Sequence, residues 1–224
     1  GTDTYTVVLD AQPSSNVVIS VTSGDTGEAT VSPATLTFTA ANWDSTQTVT
    51  VTGVNDDIID GNQNTTITMA VVDNDSDDNF DALANQTVTA TTVDNDTAGF
   101  TLSTTTATVT EAASTATFTV VLDAEPSSNV VISVTSGDTG EATVSPATLT
   151  FTAANWDSAQ TVTVTGVDDN IIDGNINTTI TMAVVDADSD DNFDGVANQT
   201  VTATTTDNET AGFTLSKTTA TVTE

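Results

Sequence analysis

The sequence repeats itself at a fixed offset of 113 residues, with no insertion or deletion: "TVVLDA" stands at 6–11 and 119–124, "FTAANWDS" at 38–45 and 151–158, and "NTTITMAVVD" at 64–73 and 177–186. Aligning 1–111 with 114–224 leaves 14 differences. A period this long exceeds that of solenoid repeats and is the size of a whole domain, so one fold must be built twice from nearly the same residues. The chain accordingly divides into a first copy at 1–98, a second at 99–210, and a segment at 211–224 that restates the opening of a copy. The first copy is abridged, because Gly1 aligns with Ser114 and residues 99–113 have no counterpart before it. Starting without Met or a leader, the chain reads as an internal piece of something longer.

Each copy reads as all-β. Apolar residues alternate with Thr or Ser over 100–110, 116–123, 130–135, 147–153, 160–166, 178–185 and 199–206, a period of two that sends one set of side chains inward and the other outward. Thr, Val and Ile suit such a half-buried pleated surface. Seven short strands separated by turn signals predict an Ig-like Greek-key sandwich, and about 110 residues bury a modest core for one sandwich per copy. Phe118, Leu122, Ile132, Phe151, Val162, Val164, Ile180 and Met182 are the candidate core, with Trp156 closing one end.

Such a sandwich has to accommodate an extreme charge. Asp and Glu number 32 against one Lys and no His, for a net charge of −31. No set of ion pairs offsets this, because Lys217 is the sole cationic side chain, and self-repulsion on this scale works against a compact state. The missing positive charge is expected from solution as Ca²⁺ or Mg²⁺, the hard ions that carboxylate oxygens select. Without Cys or His, zinc, copper and iron–sulfur sites are not expected. High charge also marks disordered chains, but the 37% hydrophobic content here is arranged as β-branched alternation, which argues for folded domains. Nucleic acid and anionic membrane surfaces would be repelled, and no apolar run is long enough for membrane insertion. Catalysis is not expected either: there is no His or Cys to act as base or nucleophile, and few aromatics to line a sugar cleft around a carboxylate pair.

Strand direction alternates between paired neighbours of an antiparallel Greek key. The connections after 100–110, 130–135 and 160–166, together with the exit from 199–206, are therefore expected at one end. They read "TEAAS" (110–114), "SGDTGE" (136–141), "GVDDNIIDGN" (166–175) and "TDNE" (206–209). Unneutralised, four acidic segments sharing one tip would raise their own pKa values and loosen the loops; Ca²⁺, with about six to eight oxygen ligands, would staple them. A further acidic stretch, "DNDSDDNFD" at 73–81 and "DADSDDNFD" at 186–194, has the spacing that opens an EF-hand loop but lacks its Gly and closing Glu. It falls at the opposite end and reads first as an acidic turn anchored by Phe80 or Phe193. Thr runs such as "TVTVTG" read as the solvent face of a sandwich rather than an ice-binding array.

A glutamate closing the first strand, a loop of the form DD-x-x-x-[DE]-G and an acidic run closing the last strand together resemble the Calx-β domain. This is a calcium-binding sandwich of sodium–calcium exchangers and long bacterial surface proteins. "VSPATLTFTAANW" and "TVTVTGVDD" look most like the Calx-β-like tandem repeats of giant bacterial adhesins, and the resemblance covers nearly the whole chain, twice. It implies Ca²⁺ ligands at Glu111, Asp138 or Glu141, Asp168, Asp169, Asp173, Asp207 and Glu209. In the first copy it implies Asp25 or Glu28, Asp56, Asp60, Asp94 and Asp96, with Asn55 in place of Asp168. Asn175 and Ile176, or Asn62 and Gln63, follow the "DG" step where the family often has a further acid, so fewer or weaker ions are expected.

The resemblance implies a calcium-stiffened structural module of a secreted or surface-anchored extracellular adhesin, whose partners are neighbouring repeats of the same protein. The eight residues 93–100 leave almost no slack between copies, so a linker held by Asp94 and Asp96 with Asp56 and Asp60 is expected to be rigid when loaded. A module recognising glycan or another cell's surface is the competing reading; recognition domains usually occur once, whereas these copies are near-identical. Finally, 211–224 is a strand without a domain and the first copy a domain without that strand. Head-to-tail self-association through 211–224, giving an extracellular filament, is therefore weighed against the plain alternative that the lost strand is tolerated.

Overall fold

β-Branched residues lose side-chain freedom in a helix and pack well on a pleated surface. The computed structural model, which describes residues 1–224, accordingly contains strands and three short 3₁₀ turns. It falls into two units, Gly1–Asp96 and Thr97–Glu224, each an Ig-like β-sandwich.

The first unit carries β1 (Thr2–Val7), β2 (Val17–Ser23), β3 (Ala29–Ser32), β4 (Thr35–Phe38), β5 (Gln47–Gly53), β6 (Gln63–Val71) and β7 (Gln86–Thr92). They form one sheet in the order β1-β5-β3 and a second in the order β4-β2-β6-β7, with every pairing antiparallel.

The second unit carries β8 (Phe100–Leu102), β9 (Thr106–Thr110), β10 (Thr115–Leu122), β11 (Val130–Ser136), β12 (Ala142–Ser145), β13 (Thr148–Phe151), β14 (Gln160–Gly166), β15 (Ile176–Val184) and β16 (Gln199–Thr206). Its sheets run β12-β14-β10-β8 and β13-β11-β15-β16-β9; β9 lies parallel to β16.

Two features depart from the alternation reading. The stretch 100–110 is two strands in different sheets: β8 pairs with β10, placing Phe100 opposite Leu122, and the chain then crosses to run beside β16. The physical sign is a slip of phase, since the buried positions pass from Phe100 to Ala107 and Val109. Ser103 anchors the crossing, its Oγ accepting the Thr119 N–H at 2.9 Å. The strand read at 147–153 is shorter, and β12 precedes it in the other sheet, with Val144 opposite Val164. Four residues on either side of Pro146 are too few for alternation to register, and proline contributes no N–H to a ladder.

All eight expected core residues of the second unit are at most 3% exposed, each large one contributing about 1.5–3 kcal/mol by leaving water. Trp156 is partly buried, its carbonyl accepting the Leu122 N–H at 3.2 Å. The first unit uses the same registers but is less sealed. Tyr5, Val7, Phe80, Val88 and Ala90 are only partly buried, whereas their counterparts Phe118, Val120, Phe193, Val201 and Ala203 are at most 1% exposed. The difference is the absence of any strand equivalent to β8 and β9.

Candidate metal centre

Glu111 follows β9 and opens a tight turn in which Ala113 takes a left-handed φ of 58° and donates its N–H to the Glu111 carbonyl at 2.7 Å. The Glu111 N–H reaches the Thr206 carbonyl at 3.3 Å, so the parallel pairing of β9 with β16 delivers Glu111 beside the exit of β16. That exit is a compact acidic turn. Asp207 accepts the N–H groups of Glu209 and Gly174, both at 2.7 Å, and these two bonds hold its carboxyl below the usual range. Gly174 is placed to donate by its φ of 77°, a conformation that glycine adopts without cost.

Carboxylate oxygens of Glu111, Asp207 and Glu209 lie within 4.8 Å of one another, and so do those of Glu141, Asp169 and Asp173. Glu111 is 1% exposed. Contact with the Glu111 carboxylate pushes Glu209 up to about 7, with burial and Asp207 adding to the effect. The Glu209 Oε2 is enclosed and has no hydrogen-bond donor. Glu141 is raised by burial and then by Asp173, Asp169, Asp138 and Glu111; Asp173 is raised by burial and then by Asp169, Asp207 and Glu111. The two triads therefore feel each other at one apex, drawn from all four acidic segments.

Asp168 sits at the rim, accepting the Asn208 side-chain amide at 3.3 Å, and belongs to neither triad. Asp138 is occupied within its own turn, accepting the Gly140 N–H at 2.9 Å; of the alternatives Asp138 and Glu141, the triad contains Glu141. In the first unit Glu28, Asp56, Asp60, Asp94 and Asp96 line one small cavity. Asp25 lies outside it, bound to the Gly27 N–H at 2.9 Å. Asp94 is lowered by the N–H groups of Asp96 and Gly61, while Glu28 and Asp96 are each raised by burial and neighbouring aspartates. No first-unit triad comes within the same spacing, although Glu28, Asp56 and Asp60 match Glu141, Asp169 and Asp173 at the repeat offset.

The stretch at 73–81 and 186–194 is used internally. Asp190, 3% exposed, accepts the Ser127 hydroxyl at 2.6 Å, the Ser128 N–H at 2.9 Å and the Asn192 N–H at 3.0 Å. Asp77 takes the same contacts from Ser14, Ser15 and Asn79. Phe193 is fully buried beneath this turn. Alternation reasoning also passed over Asn208, whose N–H binds Glu111 at 3.1 Å; only its place between two acids in "TDNE" marks it.

Fold and apex define a tandem pair of Ig-like β-sandwiches with acidic tips. No family model matches the chain, and no curated protein matches it. Among solved structures it is similar to domains 4 and 5 of the S-layer protein SbsC, at 19% identity over 84% of this chain and 70% of that one, with a TM-score of 0.41. It is also similar to the calcium binding domain CBD12 of CALX1.1, at 13% identity over 82% and 74% with a TM-score of 0.36. The E. coli chaperone DraB is similar at 10% identity over 50% and 57%, with a TM-score of 0.37.

Proposed function

We propose that the chain is a calcium-stiffened structural module of an extracellular adhesin or surface stalk, with Ca²⁺ held at the sandwich tips. The observation that carries this reading is the enclosed, donor-less Oε2 of Glu209 beside the buried carboxylate of Glu111, in a chain with one cationic side chain. A carboxylate oxygen buried without a donor is costly, and a hard cation is the partner that an all-oxygen donor set fits. Glu111, Asp207 and Glu209 would hold one ion; Glu141, Asp169 and Asp173 would hold another. In the first unit the residues lining the acidic cavity offer a poorer set. The ion supplies positive charge, while the chain positions the ligands: Asp207 is fixed by backbone N–H groups and Glu111 by Asn208.

Neutralising the apex would lock four loops that otherwise repel, and near-identical successive copies suit a stalk. Calorimetric titration of the EDTA-treated chain with CaCl₂ tests this. Saturable binding is expected at or below about 1 mM, the range of extracellular calcium modules, with protons released as Glu209 ionises. Absence of saturable binding in that range refutes the reading.

A further inference from the structure

Three Asp–Gly steps occur in the chain, at 60–61, 173–174 and 194–195. In such a step the glycine has no Cβ to crowd the approach of its own nitrogen to the aspartate side chain before it. The first two lie at the acidic tips and are pinned. The Gly61 N–H donates to Asp94 at 2.8 Å and the Gly174 N–H to Asp207 at 2.7 Å, and both glycines sit at positive φ. The third, at the opposite end of the second unit, differs on each count. Asp194 and Gly195 are exposed, Gly195 lies outside the left-handed region, and its N–H meets no acceptor. A Cβ built on Gly195 would have nothing within 4 Å. Asp194 follows the short 3₁₀ turn Asp191–Phe193 with φ −57° and ψ −34°, and its carboxyl shares a hydrogen bond with that of Asp186. That bond holds Asp194 above the ordinary carboxylate range, and burial with the charges of Asp186, Asp191 and Asp190 acts in the same direction. The first unit has the same pairing, Asp81 with Asp73, but there Ala82 follows the aspartate.

We propose that Asp194–Gly195 is a self-modifying step, at which the chain closes a succinimide ring and reopens it as isoaspartate. The Gly195 nitrogen attacks Asp194 Cγ. A bond forms between them, the bond from Cγ to its hydroxyl oxygen breaks, and that hydroxyl leaves with the amide proton as water. The proton shared with Asp186 supplies the neutral carboxyl that this departure requires, since a carboxylate has no hydroxyl to release. Water then adds back at either carbonyl of the ring. Opening at the Cγ carbonyl restores aspartate, whereas opening at the α-carbonyl leaves the main chain running through Cβ and Cγ, one carbon longer, beside a free α-carboxylate. Closure needs the Asp194 ψ to turn out of the helical region. The turn costs Gly195 no hydrogen bond and strains only the bond from the Val196 N–H to the Phe193 carbonyl at 3.0 Å. The lengthened link lies one residue past Phe193, which is fully buried beneath the Asp190 clamp. Two units of almost the same sequence are thereby set to age differently at this end.

Peptide mapping of the full chain by mass spectrometry, after prolonged warm incubation, tests the proposal. The peptide spanning 194–195 is expected first to lose one water. An isomer of unchanged mass should follow, one that an isoaspartyl methyltransferase labels, while Asp60, Asp81 and Asp173 stay as they are. Gly195→Ala, which the open space admits and Ala82 already exemplifies, should abolish both products. Ala82→Gly should create them at Asp81, a gain of modification at one place that a general loss of folding does not imitate. Asp186→Asn, which leaves Asp194 ionised, should slow ring closure at neutral pH. That difference should disappear in acid, where Asp194 is neutral without its partner. An Asp194 that stays unmodified, an Asp60 or Asp173 that is modified as fast, products that persist in Gly195→Ala, or an Ala82→Gly chain unchanged at Asp81 would each overturn the proposal. An unaltered rate in Asp186→Asn would overturn the part given to the shared proton.

Discussion

The backbone N–H of Asn208 donates to Glu111 Oε2 across 3.1 Å, tying the turn after β9 to the exit of β16 at a single buried carboxylate 97 residues away in sequence. That bond holds Glu111 in place against Glu209, whether or not an ion neutralises the pair. Glu111→Gln keeps an acceptor for Asn208 but removes one negative charge. Its effect should therefore change sign with metal: a higher melting temperature in EDTA, a lower one in calcium, and a calcium affinity at least about tenfold weaker by calorimetry. Destabilisation in both conditions would assign Glu111 a packing role alone.

Chelation should be costly to the native protein as a whole. An ion bound only to the folded state stabilises it by about 2.7 kcal/mol at a hundredfold excess over Kd, roughly 10 °C in melting temperature for a domain of this size. Scanning calorimetry with EDTA, Mg²⁺ and Ca²⁺ checks this. Mg²⁺ should restore little of the loss, because it demands near-octahedral geometry at shorter distances.

The pH dependence should also depend on metal. Glu209 sits at about 7 against an ordinary 4.5, and Glu141 and Asp173 are raised as well. Groups raised in the folded state contribute stability that is complete below their ordinary values and is lost as pH rises through the folded ones. Asp207, held low by the Glu209 and Gly174 N–H groups, works in the opposite sense, its contribution being lost as pH falls. The metal-free melting temperature is thus expected to decline from about pH 5 to about pH 8. With calcium in place of the protons the decline should vanish; a flat profile in EDTA would count against the crowded apex.

At the other end of the second unit, Asp190→Ala strips the Ser127 hydroxyl and the Ser128 and Asn192 N–H groups of their acceptor. A loss of about 1–3 kcal/mol is expected from groups left unsatisfied, measurable by urea denaturation. The eight residues of β16 separate this clamp from the apex, roughly 25 Å along a strand. The loss should therefore be the same in EDTA and in calcium, and a calcium-dependent loss would mean that the acidic turn binds the ion itself.

Much of this was legible in the residues. The repeat offset marked two domains, and period-two alternation pointed to the strands and to every one of Phe118, Leu122, Ile132, Phe151, Val162, Val164, Ile180 and Met182 as core, because a pleated strand turns sequence parity directly into inside and outside. β12 escaped notice because four residues carry too little alternation. The division of 100–110 into β8 and β9 was passed over because the phase slip between Leu102 and Ala107 has meaning only once two sheets exist for the chain to cross between.

Sequence by itself determined the all-β class, the doubling of the fold and the lack of enough cationic side chains to balance the acids, for these depend on local pattern and on counting. Only the tertiary structure decided which carboxylates meet. Glu141, not Asp138, joins Asp169 and Asp173, because Asp138 folds back on its own Gly140 N–H. Asp190, in a segment as acidic as the apex, serves as a turn clamp because the Ser127 hydroxyl and the Ser128 N–H donate to it. The physical reason is range: alternation and charge act along the chain, whereas the grouping of Glu111 with Asp207 and Glu209 requires β9 to lie parallel to β16.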